Sequence, residues 1–67
     1  MTNTFTLKIR DEKIKDFKTF DKLYAYMDFQ VSVQDLDECR LEVNGKKVNG
    51  TITDIANKKS YRHYLKR

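Results

Sequence analysis

The chain has no proline, two glycines, one cysteine and one histidine in 67 residues, and each scarcity excludes something. A single cysteine cannot close an internal disulfide, and no Cys/His cluster offers a structural zinc site. A lone thiol suits a reducing compartment, so a cytoplasmic location is expected. No apolar run reaches the roughly 20 residues that cross a bilayer. The opening MTNTFTLKIR lacks a basic region followed by a continuous apolar stretch, so neither a signal peptide nor a membrane partner is expected. Both glycines follow asparagine in turn contexts, and no glycine-rich phosphate loop is present. The absence of proline fits a compact domain.

So short a chain is expected to be one domain, residues 1–67, with a small core and marginal stability. The core must come from packed aliphatic and aromatic side chains or from a partner subunit, which makes a homodimer a live alternative. The Lys/Asn-rich, proline-free composition has the style of a phage or mobile-element protein from a low-GC host.

Charge is present in quantity and is unevenly spread. Residues 1–38 hold six Lys/Arg against eight Asp/Glu, a net of −2, whereas residues 39–67 hold eight against two, a net of +6. The sharpest contrast sets residues 28–38, with four acids and no base, against residues 57–67, with five bases and no acid. Such a split attracts a polyanion or lets the two halves attract each other.

Hydrophobic periodicity supplies the fold. Phe5, Leu7 and Ile9 alternate with polar neighbours over residues 4–10, the period of a half-buried strand. Residues 14–18 read as its hairpin partner, across a charged turn without glycine, the alternative being the lead-in to the helix. Thr19 is a natural helix N-cap with Asp21 in the first turn. Phe20, Leu23, Tyr24 and Met27 then fall within one arc of about 100° at helical spacing, which gives an amphipathic helix over residues 19–28. Val31 and Val33 hint at an edge strand, and residues 34–38 read as a polar connection.

Cys39, Leu41 and Val43 alternate again, and Asn44-Gly45 is a strong two-residue hairpin signal. That turn sets Leu41 opposite Val48 and Glu42 opposite Lys47. Gly50 reads as a bulge or bend, with the strand carried on through residues 51–55. Residues 60–66 are read narrowly as a last strand, the alternative being a helix starting at Thr53. The expected class is therefore α+β: an N-terminal hairpin, one helix on one sheet face, and a C-terminal meander over residues 39–44, 46–55 and 60–66. The expected core is Phe5, Leu7, Ile9, Phe17, Phe20, Leu23, Tyr24, Met27, Leu41, Val43, Val48 and Ile52.

Catalytic chemistry is sparse. Cys39 falls on the apolar face of its strand, where a cysteine behaves as a small hydrophobe, so a Cys39–His63 nucleophilic pair is disfavoured. Asp35, Asp37 and Glu38 lack the spacing and glycine of a calcium loop. The chain is read as a non-enzyme without metal or cofactor.

Binding is the better reading, and two surfaces offer themselves. Lys58, Lys59, Arg62, Lys66 and Arg67, extended by Lys46 and Lys47, can neutralise phosphates, and Tyr64 can stack on an unpaired base. In the strand reading, Arg62, Tyr64 and Lys66 share one face while Tyr61 and Leu65 close the core. The rival is a protein-binding inhibitor, adaptor or assembly factor that uses Tyr26, Phe29, Asp35, Asp37 and Glu38. The reading leans to nucleic acid.

Overall fold

The structure, a computed structural model, describes residues 2–66. Its first two strands, β1 (Phe5–Ile9) and β2 (Glu12–Phe17), form the expected antiparallel hairpin. The tight turn between them places Arg10 at φ 51° and Asp11 at φ 73°. Both positions of this turn need the left-handed region, and neither residue is glycine, so the turn carries backbone strain. The register slips between Leu7 and Lys8, leaving Ile14 as the extra residue of a bulge on β2.

Helix α1 (Phe20–Gln30) begins at the expected cap: Thr19 Oγ1 accepts the Lys22 N–H at 3.2 Å. It runs two residues past the expected end, and Val31 closes it by donating its N–H to the Met27 carbonyl at 3.1 Å. Phe20, Leu23 and Met27 are buried beneath it. The helix carries the chain from the edge strand β2 over β1 to β3 (Cys39–Val43), which pairs with the far side of β1. Cys39, Leu41 and Val43 face inward opposite Ile9, Leu7 and Phe5.

The Asn44-Gly45 turn, at φ 53° and 83°, returns the chain as β4 (Lys46–Val48) in the expected register, with Leu41 opposite Val48 and Glu42 opposite Lys47. The result is a four-stranded antiparallel sheet, order β2-β1-β3-β4, with α1 packed on one face. That is the α+β class expected from the sequence.

Three local expectations are corrected. The edge strand hinted at by Val31 and Val33 is absent; Val33–Glu38 forms a 3-10 segment, where the Asp35 N–H donates to the Ser32 carbonyl at 2.9 Å. The strand assigned to residues 51–55 is the start of helix α2 (Ile52–Lys58). Here Thr51 Oγ1 accepts the Asp54 N–H at 3.2 Å, and Ile52 and Ile55, three apart, share the buried side. A cap and a helical stripe outweigh the β preference of two threonines and two isoleucines. Gly50, at φ 103°, bends the chain between β4 and that cap.

Lastly, residues 60–66 are not a strand. Ser60–Tyr64 is a 3-10 segment entered through Lys59 in the left-handed conformation at φ 54°. It folds beneath the end of the sheet because Tyr61 finds aromatic partners there. Its ring stacks on Phe20 at 4.5 Å between centroids and meets Phe5 edge-on at 5.9 Å.

The core comprises Phe5, Leu7, Phe20, Leu23, Met27, Cys39, Leu41, Val43, Val48, Ile52 and Ile55. Ile9, Phe17 and Tyr24 pack against it half-buried, and Ile55 joins it because α2 replaces a strand. Among the described residues no buried side-chain nitrogen or oxygen lacks a partner.

Candidate nucleic-acid interface and the opposite acidic end

Strand register gives the sheet two distinct ends. Ile9, Glu12 and Cys39 lie at one; Phe5, Phe17, Val43 and Lys46 lie at the other. The tail belongs to the second end, held there by Asn44. Its side-chain Oδ1 accepts the Thr4 N–H at 2.9 Å, and its Nδ2 donates to Asn3 Oδ1 and to the Tyr64 carbonyl, each at 2.9 Å. Asn3 Oδ1 also accepts the Lys66 N–H at 2.6 Å. One asparagine thus joins the N-terminal segment, the β3–β4 turn and the tail. The hairpin signal in the sequence concerns only the backbone of Asn44 and gives no sign of this second role.

The basic residues lie on β4, at the end of α2 and in the tail. Lys46 and Lys47 are exposed on β4, against which the Ser60–Tyr64 segment packs. Lys58 closes α2, where a cation meets the negative end of the helix dipole. Lys59, Arg62 and Lys66 continue the series, all exposed. Among the described residues the ion pairs are Lys8–Glu42 at 3.0 Å, Arg10–Asp35 at 3.1 Å and Lys13–Asp16 at 2.7 Å. None involves a base from residues 46–66. Arg67 lies outside the described residues.

The aromatic part of the expected platform is rearranged. Tyr61 is committed to Phe20 and Phe5, and Tyr64 is half-buried against the core instead of standing on a strand face beside Arg62 and Lys66. The alternation that set those three on one face does not exist in a 3-10 turn. The expected stacking surface is therefore not formed, and on β4 the two lysines point to opposite faces, Lys47 sharing the outer face with Glu42.

At the other end lie the residues of the rival surface. Phe29, in the last turn of α1, is 86% exposed, and Val33, at the start of the 3-10 segment, is 84% exposed. Asp35 accepts from Arg10 Nη2 at 3.1 Å and from Ser32 Oγ at 3.2 Å. Asp37 and Glu38 are exposed side chains whose backbone carbonyls accept from Arg40 Nη1 at 2.7 Å and from the Arg10 N–H at 3.3 Å. Tyr26 stands apart from this group. It is half-buried, its ring 5.3 Å from Phe17, with Lys15 Nζ 5.6 Å from both ring centroids.

Cys39 is fully buried and donates its thiol to the Asp35 carbonyl at 3.5 Å. Burial first, and the nearby Asp35 carboxylate second, push that thiol above its ordinary pKa and keep it protonated. His63 sits in the tail, at the opposite end of the sheet from Cys39. The two are not brought together. Among the described residues no three His, Cys, Asp or Glu side chains converge as metal ligands, and no helix is long and apolar enough to cross a membrane.

No family model, no curated protein and no solved structure matches this chain.

Proposed function

We propose that the protein is a non-catalytic binding module that holds nucleic acid through its basic C-terminal half. The observation supporting this reading is the set of six exposed bases, Lys46, Lys47, Lys58, Lys59, Arg62 and Lys66, outside every ion pair of the described residues. Unpaired surface cations release counterions from a phosphate backbone when they bind it. With Tyr61 and Tyr64 both half-buried against the core, Tyr61 stacked on Phe20, the ligand feature engaged is the phosphate backbone more than the base face. Affinity should thus depend steeply on salt and little on sequence. A mobility-shift titration at low salt with single- and double-stranded probes tests this; no shift with either would end the proposal.

A second reading is supported by Phe29 and Val33, two apolar side chains left almost wholly exposed within residues 28–38, a stretch with four acids and no base. Exposed apolar side chains acquire meaning as a contact surface when they are contiguous, and these two flank the end of α1. In this reading the protein is an inhibitor, adaptor or assembly factor. A pull-down from nuclease-treated host lysate with wild type and Phe29→Asp tests it, and identical captures would remove it.

A further inference from the structure

The two ends of the sheet are complementary to each other. At the Ile9/Cys39 end, the β1–β2 turn, the last turn of α1 and the 3-10 segment gather Asp11, Glu12, Asp28, Asp35, Asp37 and Glu38. Arg10 is spent on Asp35, and Arg40 Nη1 on the carbonyls of Asp37 and Cys39. Phe29 and Val33 project from this acidic surface.

The Phe5/Val43 end presents the inverse. A recess of about 280 Å³ opens there, lined chiefly by Asn3, Phe5, Lys18, Phe20, Tyr61 and Leu65. Its lining combines the side chains of Phe5, Phe20, Tyr61 and Leu65 with polar ones from Asn3, Thr19 and Asp21. Lys18 stands at its lip with Asp21 nearby, and Lys66 adjoins it through the hydrogen bond to Asn3. Arg62 and Lys46 carry positive charge onward over the same end.

We infer that the protein self-associates head to tail: Phe29 and Val33 of one copy seat in the Phe5–Tyr61–Leu65 recess of the next, with acidic rim against basic rim. The contact joins different surfaces of the two copies, so it is heterologous, and an open chain of copies keeps a free knob at one end and a free recess at the other unless a ring closes. The inference gives the protein-contact reading of the acidic end a definite partner and rests on that reading. Two apolar side chains and screened charges make a weak contact, with a Kd on the order of 100 µM.

Sedimentation of the pure protein from about 10 µM to 1 mM at low salt should show a weight-average mass rising with concentration, and 0.5 M NaCl should suppress the rise by shortening the Debye length. Phe29→Asp should weaken association by about tenfold or more. Its circular dichroism should stay that of wild type, since the side chain is exposed. Lys18→Glu with Lys66→Glu should weaken association from the other side of the contact. Mixing the two variants should restore a 1:1 complex that grows no further, because one supplies an intact recess and the other an intact knob.

A wild type monomeric at 1 mM, a Phe29→Asp protein that associates undiminished, or a mixture that forms no heterodimer would each overturn the inference. The last outcome is what a symmetric Phe29-to-Phe29 dimer would give. If self-association fails while Phe29→Asp still loses a partner in the lysate comparison above, the acidic end serves another protein, and only the second-copy assignment falls.

Discussion

Asn44 tests whether the tail is fastened as described, because its side chain does two separable things. It occupies a turn position at φ 53°, and it makes three hydrogen bonds, to Thr4, Asn3 and the Tyr64 carbonyl. Asn44→Gly leaves the turn unstrained and removes all three bonds. Each is worth about 0.5–1.5 kcal/mol net, and partial exposure places them at the low end, so the loss should be about 1.5–3 kcal/mol. Asn44→Ala removes the same bonds and adds about 1 kcal/mol for holding a β-carbon in the left-handed region. A domain of 67 residues has roughly 3–10 kcal/mol in total, so either change should be plain in urea unfolding. Hydrogen exchange gives the local readout. The Lys66 amide, which donates to Asn3 Oδ1, and the amides of Arg62 and Leu65 should lose protection in Asn44→Gly before the β1–β3 ladder does. Loss of under 0.5 kcal/mol with unchanged tail protection would refute the clasp. Nucleic-acid affinity should change little in the same variant, because no charge has been removed.

Other outcomes follow from the same structure. Leu23 is wholly buried under α1, so Leu23→Ala should cost about 2–5 kcal/mol, and equilibrium denaturation showing under 0.5 kcal/mol would contradict the helix packing. Asp11, at φ 73° with an exposed side chain, should be replaceable by glycine with a gain of about 1 kcal/mol, read as a rise in the urea midpoint. The Asp16 carboxylate accepts hydrogen bonds from Lys13, the larger effect, and from Thr6, which hold its pKa below the ordinary aspartate value. A depressed folded pKa stabilises the fold above the unfolded value of about 3.9 and loses that contribution as pH falls through the folded one. Carboxyl-carbon NMR titration should place the Asp16 midpoint below the ordinary aspartate value of about 3.9, and a higher midpoint would contradict the bond geometry.

How far the sequence foretold this structure depended on the kind of signal. Alternation in Phe5–Ile9 and Cys39–Val43, the Thr19 cap and the Asn44-Gly45 turn each determine a local geometry from side-chain period or backbone φ, and all four appear in the structure. Residues 51–66 failed for the opposite reason. Thr51, Thr53, Ile52 and Ile55 favour a strand locally, and their helix depends on the Thr51 cap with Ile52 and Ile55 buried against the sheet. The Thr51–Asp54 spacing was the available sign of that cap. The tail's path depends on Tyr61 meeting Phe20 and Phe5, partners 41 and 56 positions distant that no local window contains. The basic residues of the candidate interface were legible as composition. The packing of Tyr61 and Tyr64 against the core was not.

Whether the bases on β4, α2 and the tail hold phosphates is read from the salt dependence of nucleic-acid affinity. A duplex probe titrated across 50–200 mM salt should give a linear fall of log K with log salt, with a slope near −0.9 per neutralised phosphate. Replacing Lys58, Lys59, Arg62 and Lys66 by glutamine should make that slope shallower by roughly 0.9 for each phosphate left without its cation, while the fold is kept. A slope unchanged by the four substitutions, or no binding at 50 mM salt, would contradict phosphate binding by these bases.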